Sequence, residues 1–206
     1  MGLRLTILGL WTPKWLISRE LDHVSNVTTA ALKSLLAAHT PINQTQTKEN
    51  TIQSIKTVEE KRFAMAAEHT ALVQALATFV GQDKAIKLGR EALFEVGKNL
   101  GMETRGKLGV SNNPKDLIRA ATILYRILGI KFSLEWSNKE QATLVVDHCD
   151  LAQHYSELTC RVLSATDEGV VKGLDPNAIM AFEEVMTSGC PKCRAQIKFT
   201  MQRQKK

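Results

Sequence analysis

Residues 129–150 read GIKFSLEWSNKEQATLVVDHCD, and the period of this segment sets the fold class. Every second residue from Ile130 to Trp136 is apolar, a short polar turn follows, and the alternation resumes at Ala142. A period of two is typical of a half-buried β-strand. The segment therefore predicts a β-hairpin, and the alternation places His148 on the apolar face of the second strand.

A helix and a second hairpin are predicted to follow. Asp150 is a candidate N-cap for a helix of about 16 residues. Residues 179–186 and 193–201 then have the composition of two strands joined by a turn, and the apolar positions of the last strand begin with Cys193. If both hairpins belong to one sheet, Cys193 and His148 face the same buried side.

The predicted helix after the first hairpin carries a third residue of interest. At about 100° per residue, Cys160 lies opposite the apolar stripe of that helix. Cysteine is among the residues most often buried. The thiol is therefore exposed, covered by other helices or directed into a cavity.

The N-terminal half has the period of helices. Three core helices are predicted over residues 59–80, 83–100 and 114–128, ended by Gly81, Gly101 and Gly129. Residues 16–39 have the spacing of an amphipathic arm helix, and residues 40–57 form a polar linker. We therefore predict an arm and linker over residues 1–57. Residues 58–206 are predicted to form an α+β domain with a helical N-terminal half, then two β-hairpins forming an antiparallel sheet with an intervening helix.

Composition and charge limit the partners. The chain has 206 residues, of which 44% are hydrophobic, and its net charge is +6. The excess of positive charge lies in a basic C-terminal tail, and this location favours a solvated tail over a nucleic-acid-binding face. The six cations of the tail are Lys192, Arg194, Lys198, Arg203, Lys205 and Lys206. No run of 18 apolar residues predicts a membrane span, and no signal-peptide cleavage site is evident, so we expect a cytoplasmic protein.

All four cysteines lie in the last third of the chain, which favours a site over a disulfide framework in a reducing compartment. Cys190 and Cys193 have the C-x₂-C spacing of a zinc site, and the candidate third ligand is Cys149, with His148 or Cys160 as the alternatives. A continuous helix would separate Cys149 from Cys160 by about 16 Å, too far for one zinc ion. Zinc is therefore one candidate cofactor; burial of Cys193 as a small hydrophobe and of His148 as a core histidine are the alternatives.

Acids near the first hairpin are candidates for acid–base catalysis, although acids on helix surfaces are usually only solvated. They are Asp147, Asp150, Glu157, Asp167 and Glu168. No glycine-rich phosphate loop, nucleophile elbow or HExxH motif occurs in the chain. The sequence therefore gives no support to nucleotide chemistry.

Three segments resemble the L-2-amino-thiazoline-4-carboxylic acid hydrolase family. They are VVDHCDLAQHYSELTC from residue 145, DEGVVKGLDPNAIMAFEEV from residue 167 and SGCPKCRAQIKF from residue 188. The shared features are a cysteine at a strand end (Cys149), a cysteine in the next helix (Cys160), a Gly-hydrophobic-x-Pro segment and a Gly-x-x-x-Cys hairpin. The resemblance implies a vinyl-reductase-type small-molecule-binding fold, similar to that of trafficking-complex subunits.

The chain departs from the family pattern at two places. Cys190 stands where the pattern has an acid after the hairpin glycine, and Phe182, Glu183 and Glu184 stand where it has basic residues. If those groups bind the substrate carboxylate, the substrate of this protein differs.

The resemblance implies hydrolysis of a small cyclic amidine, in which water adds and a C–N bond of the ring opens. Cys160, His148 and Cys193 are the candidate catalytic residues, acting directly or through a metal-bound water. The alternative is a non-catalytic domain, a sensor or carrier, that binds a small molecule or a metal. The residues that contact the substrate are not predicted, and pairing into a homodimer through the N-terminal arm stays open.

Overall fold

The computed structural model describes residues 3–40 and 57–199, and in these ranges it has six α-helices and a four-stranded sheet. The helices are α1 (Leu3–Leu10), α2 (Lys14–His39), α3 (Val58–Val80), α4 (Gln82–Leu108), α5 (Pro114–Leu128) and α6 (Glu157–Leu174). The strands are β1 (Ile130–Trp136), β2 (Gln141–Cys149), β3 (Ile179–Glu184) and β4 (Cys193–Lys198). The predicted α+β class is confirmed. Residues 41–56 of the predicted linker and residues 200–206 of the basic tail lie outside the described residues.

The sheet has the order β1-β2-β4-β3, and all neighbouring strands are antiparallel. The two hairpins are joined by the pairing of β2 with β4. Both predicted hairpins therefore belong to one antiparallel sheet.

A β-bulge at Asp147 changes the face on which His148 lies. Lys131 of β1 pairs with His148, but Phe132 pairs with Val146, so Asp147 is an extra residue without a partner in β1. One extra residue exchanges the two faces of the strand beyond it. His148 is exposed, whereas Cys149 is partly buried against the core. The prediction that His148 faces the same side as Cys193 is wrong for this reason.

The helix after β2 begins later than its sequence suggested. Asp150 does not cap it; its carboxylate instead accepts a hydrogen bond from Arg62 at 2.8 Å and contacts His148 at 2.7 Å. A short 3₁₀ turn follows, and the hydroxyl of Ser156 caps α6 by accepting from the N–H of Thr159. Because the chain turns here, the predicted continuous helix between the first two cysteines is wrong.

The helices α4 and α6 cross at backbone contact. A methyl group added at Gly97 of α4 would overlap the carbonyl oxygen of Thr166, and one at Gly169 of α6 would overlap that of Phe94. Gly101 lies in the same crossing, where a methyl group would overlap the carbonyl oxygen of Val170. Because α4 continues to Leu108, the prediction that Gly101 ends its helix is wrong. This glycine instead allows α6 to pack closely against α4.

The N-terminal helices pack onto the others. Leu5 of α1 and Leu21 of α2 belong to the main hydrophobic cluster, and Leu32 of α2 belongs to a second one. The proposed domain boundary at residue 57 stays a prediction.

Within the described ranges, α3 meets the length and hydropathy requirements of a membrane span, a test that the core helices of other proteins also pass. The helix buries Met65 and Val73.

Candidate functional site

Two adjoining cavities lie between the sheet and the helices. The first, which we call the apolar cavity, has a volume of about 100 Å³ and is walled mainly by aliphatic and aromatic side chains of α5, α6 and the sheet. The second, the cysteine cavity, has a volume of about 90 Å³. The two share one wall, formed by Val24, Tyr125, Leu128, Thr166 and Asp167.

Three thiols line the cysteine cavity. Cys149 comes from the end of β2, Cys160 from α6 and Cys193 from the start of β4. Burial raises the pKa of Cys149 to about 12 and that of Cys160 to about 11, and it also raises the pKa of Cys193. All three side chains are therefore neutral thiols at pH 7. The sequence left the Cys160 thiol exposed, covered by other helices or directed into a cavity, and the structure shows that Cys160 lines a cavity.

Asp167 carries the buried carboxyl of the site, in the wall that both cavities share. It makes no hydrogen bond or ion pair with any residue in the described ranges, whereas neighbouring Glu168 is turned away toward Arg90, at 2.7 Å. Burial, with a smaller contribution from the charge of Glu168, raises the pKa of Asp167 to about 7. The carboxyl can therefore both accept and donate a proton at neutral pH.

Tyr125 offers a second polar group in the shared wall. Its ring packs edge-on against Phe132, and its hydroxyl has no hydrogen-bond partner among the described residues. Burial, followed by the charge of Asp167, raises the pKa of Tyr125 well above its usual range. The phenol therefore keeps its proton and is free to donate it to a bound molecule.

A buried histidine holds another phenol at the cysteine cavity. Thr28 donates its hydroxyl proton to the carbonyl of Val24, so it accepts from His69 Nε2 at 2.9 Å. His69 Nδ1 then accepts the hydroxyl proton of Tyr155 at 2.8 Å. Burial lowers the pKa of His69 to about 4, and the ring is neutral at pH 7. The sequence alone does not single out His69, because nothing in a helical pattern distinguishes a histidine that contacts a phenol distant in the chain.

The structure separates the sequence-predicted site residues. Cys149, Cys160 and Cys193 come together in one cavity, while His148 lies on the other side of β2 and Cys190 lies in the turn before β4, outside both cavity walls. Across residues 3–40 and 57–199, no group of three or more His, Cys, Asp or Glu side chains is placed to hold a metal ion. Zinc stays a prediction.

Asp167 was one of five candidate acids in the sequence, and only its surroundings distinguish it from the others. Its helical neighbours Glu168 and Thr166 give the pattern of an ordinary polar helix face. The side chain of Asp167 lines both cavities, in a wall that also includes Val24 of α2 and Tyr125 and Leu128 of α5. Burial of Asp167 is thus a product of helix packing.

Comparison with solved structures shows the fold. A trafficking protein particle complex subunit 3 from Naegleria fowleri, covalently bound to palmitic acid, has a TM-score of 0.52 at 14% identity, over 68% of this chain and 95% of that one. The phenol-responsive sensory domain of the transcription activator PoxR, solved with phenol, has a TM-score of 0.49 at 15% identity, over 82% and 88%. An H-NOX protein from K. algicida has a TM-score of 0.47 at 15% identity, over 94% and 100%.

Comparison at the level of sequence gives the family. No curated protein matches the chain significantly. The profile of the L-2-amino-thiazoline-4-carboxylic acid hydrolase family, however, matches residues 59–197, which is more than half of the chain and includes α3 to α6 and the whole sheet. The chain therefore belongs to the L-2-amino-thiazoline-4-carboxylic acid hydrolase family.

Proposed function

We propose that this protein hydrolyses a C–N bond of a small cyclic amidine, held against Asp167 in the shared wall of the two cavities. The observation that carries the proposal is the unpartnered carboxyl of Asp167, buried and with a pKa of about 7. An amidine presents N–H donors in one plane, which match the two oxygens of a carboxylate. Family membership supports the hydrolytic reaction.

In the proposed mechanism, ionised Asp167 acts first as a general base. It takes a proton from water as the water oxygen forms a bond to the amidine carbon. The protonated carboxyl then gives that proton to the ring nitrogen as the C–N bond breaks and the ring opens. The net change is the addition of one water molecule. A pKa near the working pH makes one carboxyl effective in both steps.

The thiols are proposed as wall residues of this site. A thiolate is the nucleophilic form of cysteine, and burial keeps Cys160 and Cys193 as neutral thiols. The N–H of Met186 donates to Cys193 Sγ at 3.3 Å, which orients that side chain. Cys160 and Cys193 then shape the cavity around the substrate, while Asp167 moves the proton.

The test is the ring-opening rate of 2-amino-2-thiazoline and of its 4-carboxylate, measured by product analysis from pH 5 to 9. We expect turnover by the wild type, with kcat/KM rising through a pH of about 7 as Asp167 ionises. Asp167→Asn should lower kcat by about 10²- to 10⁴-fold, the usual contribution of a positioned acid–base group. Cys160→Ala should cost less, since no thiolate attacks. Absence of turnover of both compounds would contradict the proposed function, and full activity of Asp167→Asn would contradict the role of Asp167.

His148→Ala serves as the matched variant outside the cavities. His148 is 45% exposed and contacts Asp150 on the surface, so we expect its loss to leave the ring-opening rate unchanged. An exposed pair of this kind stabilises a protein by only about 0.2–1 kcal/mol, and the melting temperature should fall little. A rate reduced about as much as in Asp167→Asn would return His148 to the list of catalytic residues.

A second candidate function is binding without turnover, and the apolar cavity favours it. The walls of that cavity are almost entirely apolar, and the trafficking subunit of similar fold is covalently bound to palmitic acid. A ligand that binds the native state raises its melting temperature. Stabilisation of the wild type by amidines, with no product formed, would favour this function over hydrolysis.

A further inference from the structure

The lining of the apolar cavity includes a small cluster of charged side chains where α2 faces α4. His23 Nε2 of α2 lies 3.0 Å from Glu103 Oε2 of α4, and Lys107 Nζ lies 2.7 Å from Glu103 Oε1. Glu20 lies on the same rim, 3.9 Å from Lys107. These side chains are partly exposed, so this charged part of the lining is in contact with solvent.

The rest of the lining is mainly apolar. It includes Leu100, Leu117, Leu124, Val170, Val171 and Ile197. The cavity also reaches Tyr125 and Asp167, polar groups that it shares with the cysteine cavity. A molecule whose polar group binds Asp167 can therefore place an apolar group in the apolar cavity.

The charges around the two cavities disfavour a ligand that carries a carboxylate. Among the described residues, neither Lys nor Arg lines the cysteine cavity, and Lys107, the lysine of the apolar cavity, is bound to Glu103. A ligand carboxylate would meet Asp167 with no cation to offset the repulsion. Phe182, an uncharged aromatic side chain, lies in the wall of the cysteine cavity.

We propose that the molecule this site takes is an amidine with an apolar substituent and without a carboxylate. The amidine binds Asp167 and Tyr125, the substituent fills the apolar cavity, and entry is between α2 and α4. At about 100 Å³ the cavity is smaller than a protein cavity of about 150 Å³ that binds benzene, so a single small ring or a short alkyl chain is the largest substituent that we expect it to take. The inference rests on the proposed function for the reaction, but its binding part can be measured separately.

The experiment is a calorimetric titration of the whole chain at pH 8 with benzamidine, acetamidine and 4-carboxybenzamidine. Burying the ring should make benzamidine bind at least about tenfold more tightly than acetamidine. The added carboxylate should weaken 4-carboxybenzamidine by at least about tenfold relative to benzamidine, since it has no cation to pair with. Equal affinities for benzamidine and 4-carboxybenzamidine, or no binding of any amidine, would overturn the inference.

Two variants and one control variant locate the bound molecule. Ala121 lines the apolar cavity, so the added ring of Ala121→Phe should fill part of it. This variant should reduce the ratio of benzamidine affinity to acetamidine affinity. Ala30→Phe adds the same ring on an exposed face of α2 and should keep the wild-type ratio. Asp167→Asn should weaken both amidines. If Ala121→Phe does not fold, the three-ligand comparison on the wild type still decides the matter.

Binding and turnover distinguish the two proposals. Tight binding of benzamidine without ring opening of 2-amino-2-thiazoline would uphold the ligand class and overturn the reaction. Ring opening of the 4-carboxylate, with no preference for benzamidine over 4-carboxybenzamidine, would uphold the reaction and overturn the ligand class.

Discussion

Gly97→Ala is expected to lower the free energy of unfolding by at least about 4 kcal/mol, the range reached when a core contact cannot relax. The added methyl group would overlap the carbonyl oxygen of Thr166, a backbone atom of α6. The helices cannot separate freely, because Gly169 and Gly173 of α6 pack just as closely onto the backbone of α4. Urea denaturation followed by circular dichroism measures the effect.

Gly106→Ala is the control for this variant on the same helix. Nothing lies within 4 Å of a methyl group at Gly106. Alanine there should stabilise the protein by about 0.5–1 kcal/mol, because glycine in a helix interior loses more backbone entropy on folding. Equal unfolding free energies for the two variants would show that the α4–α6 crossing tolerates a side chain. Because Thr166 adjoins Asp167, we also expect Gly97→Ala to lose amidine binding.

Asp167→Asn is expected to stabilise the protein at pH 8 by up to about 4 kcal/mol, since each pH unit of difference in pKa corresponds to about 1.36 kcal/mol. The pKa of Asp167 is about 7 in the folded protein and 3.8 in the ordinary state. As the pH rises from about 4 to 7, the unfolded chain has already lost this proton and the native state still holds it. Native stability therefore falls over that window, and asparagine removes the loss.

His69 gives the pH profile a second, opposite component. Its pKa is about 4 in the folded protein and 6.5 ordinarily, so native stability falls as the pH drops from 6.5 toward 4. Between a pH of about 4 and 6.5, the unfolded wild type holds one proton more than the native state on His69 and one proton fewer on Asp167. The two contributions cancel there. In Asp167→Asn the contribution of His69 remains alone, and stability should decline toward acid.

Thermal unfolding from pH 4 to 9 measures this profile. Glu183→Gln is the control, because Glu183 is an exposed carboxylate on the sheet. Its unfolding curve should follow the wild type at every pH. If Asp167→Asn is no more stable than Glu183→Gln at pH 8, the carboxyl of Asp167 is not destabilised by burial, and the acid–base role proposed for it fails too.

Local patterns predicted the fold because each depends on residues close together in the chain. The alternation from Ile130 onward predicted the first hairpin, and the helix predicted over residues 114–128 is α5, where the Asn113 side chain accepts from the N–H of Lys115. Gly129, with a φ of 72°, ends that helix as expected. Caps and periodicity act over a few residues, so one sequence suffices to detect them.

The site depended on contacts between residues distant in sequence. The bulge at Asp147 moved His148 out of the candidate site, and Arg62, 88 positions from Asp150, bound the carboxylate that was expected to cap α6. Family resemblance and residue type identified Cys160 and Cys193, but the neutral state of their thiols follows from burial. Asp167 acquired its raised pKa only when the helices and the sheet packed around it, because desolvation is a property of the assembled core and no pattern along the chain records it.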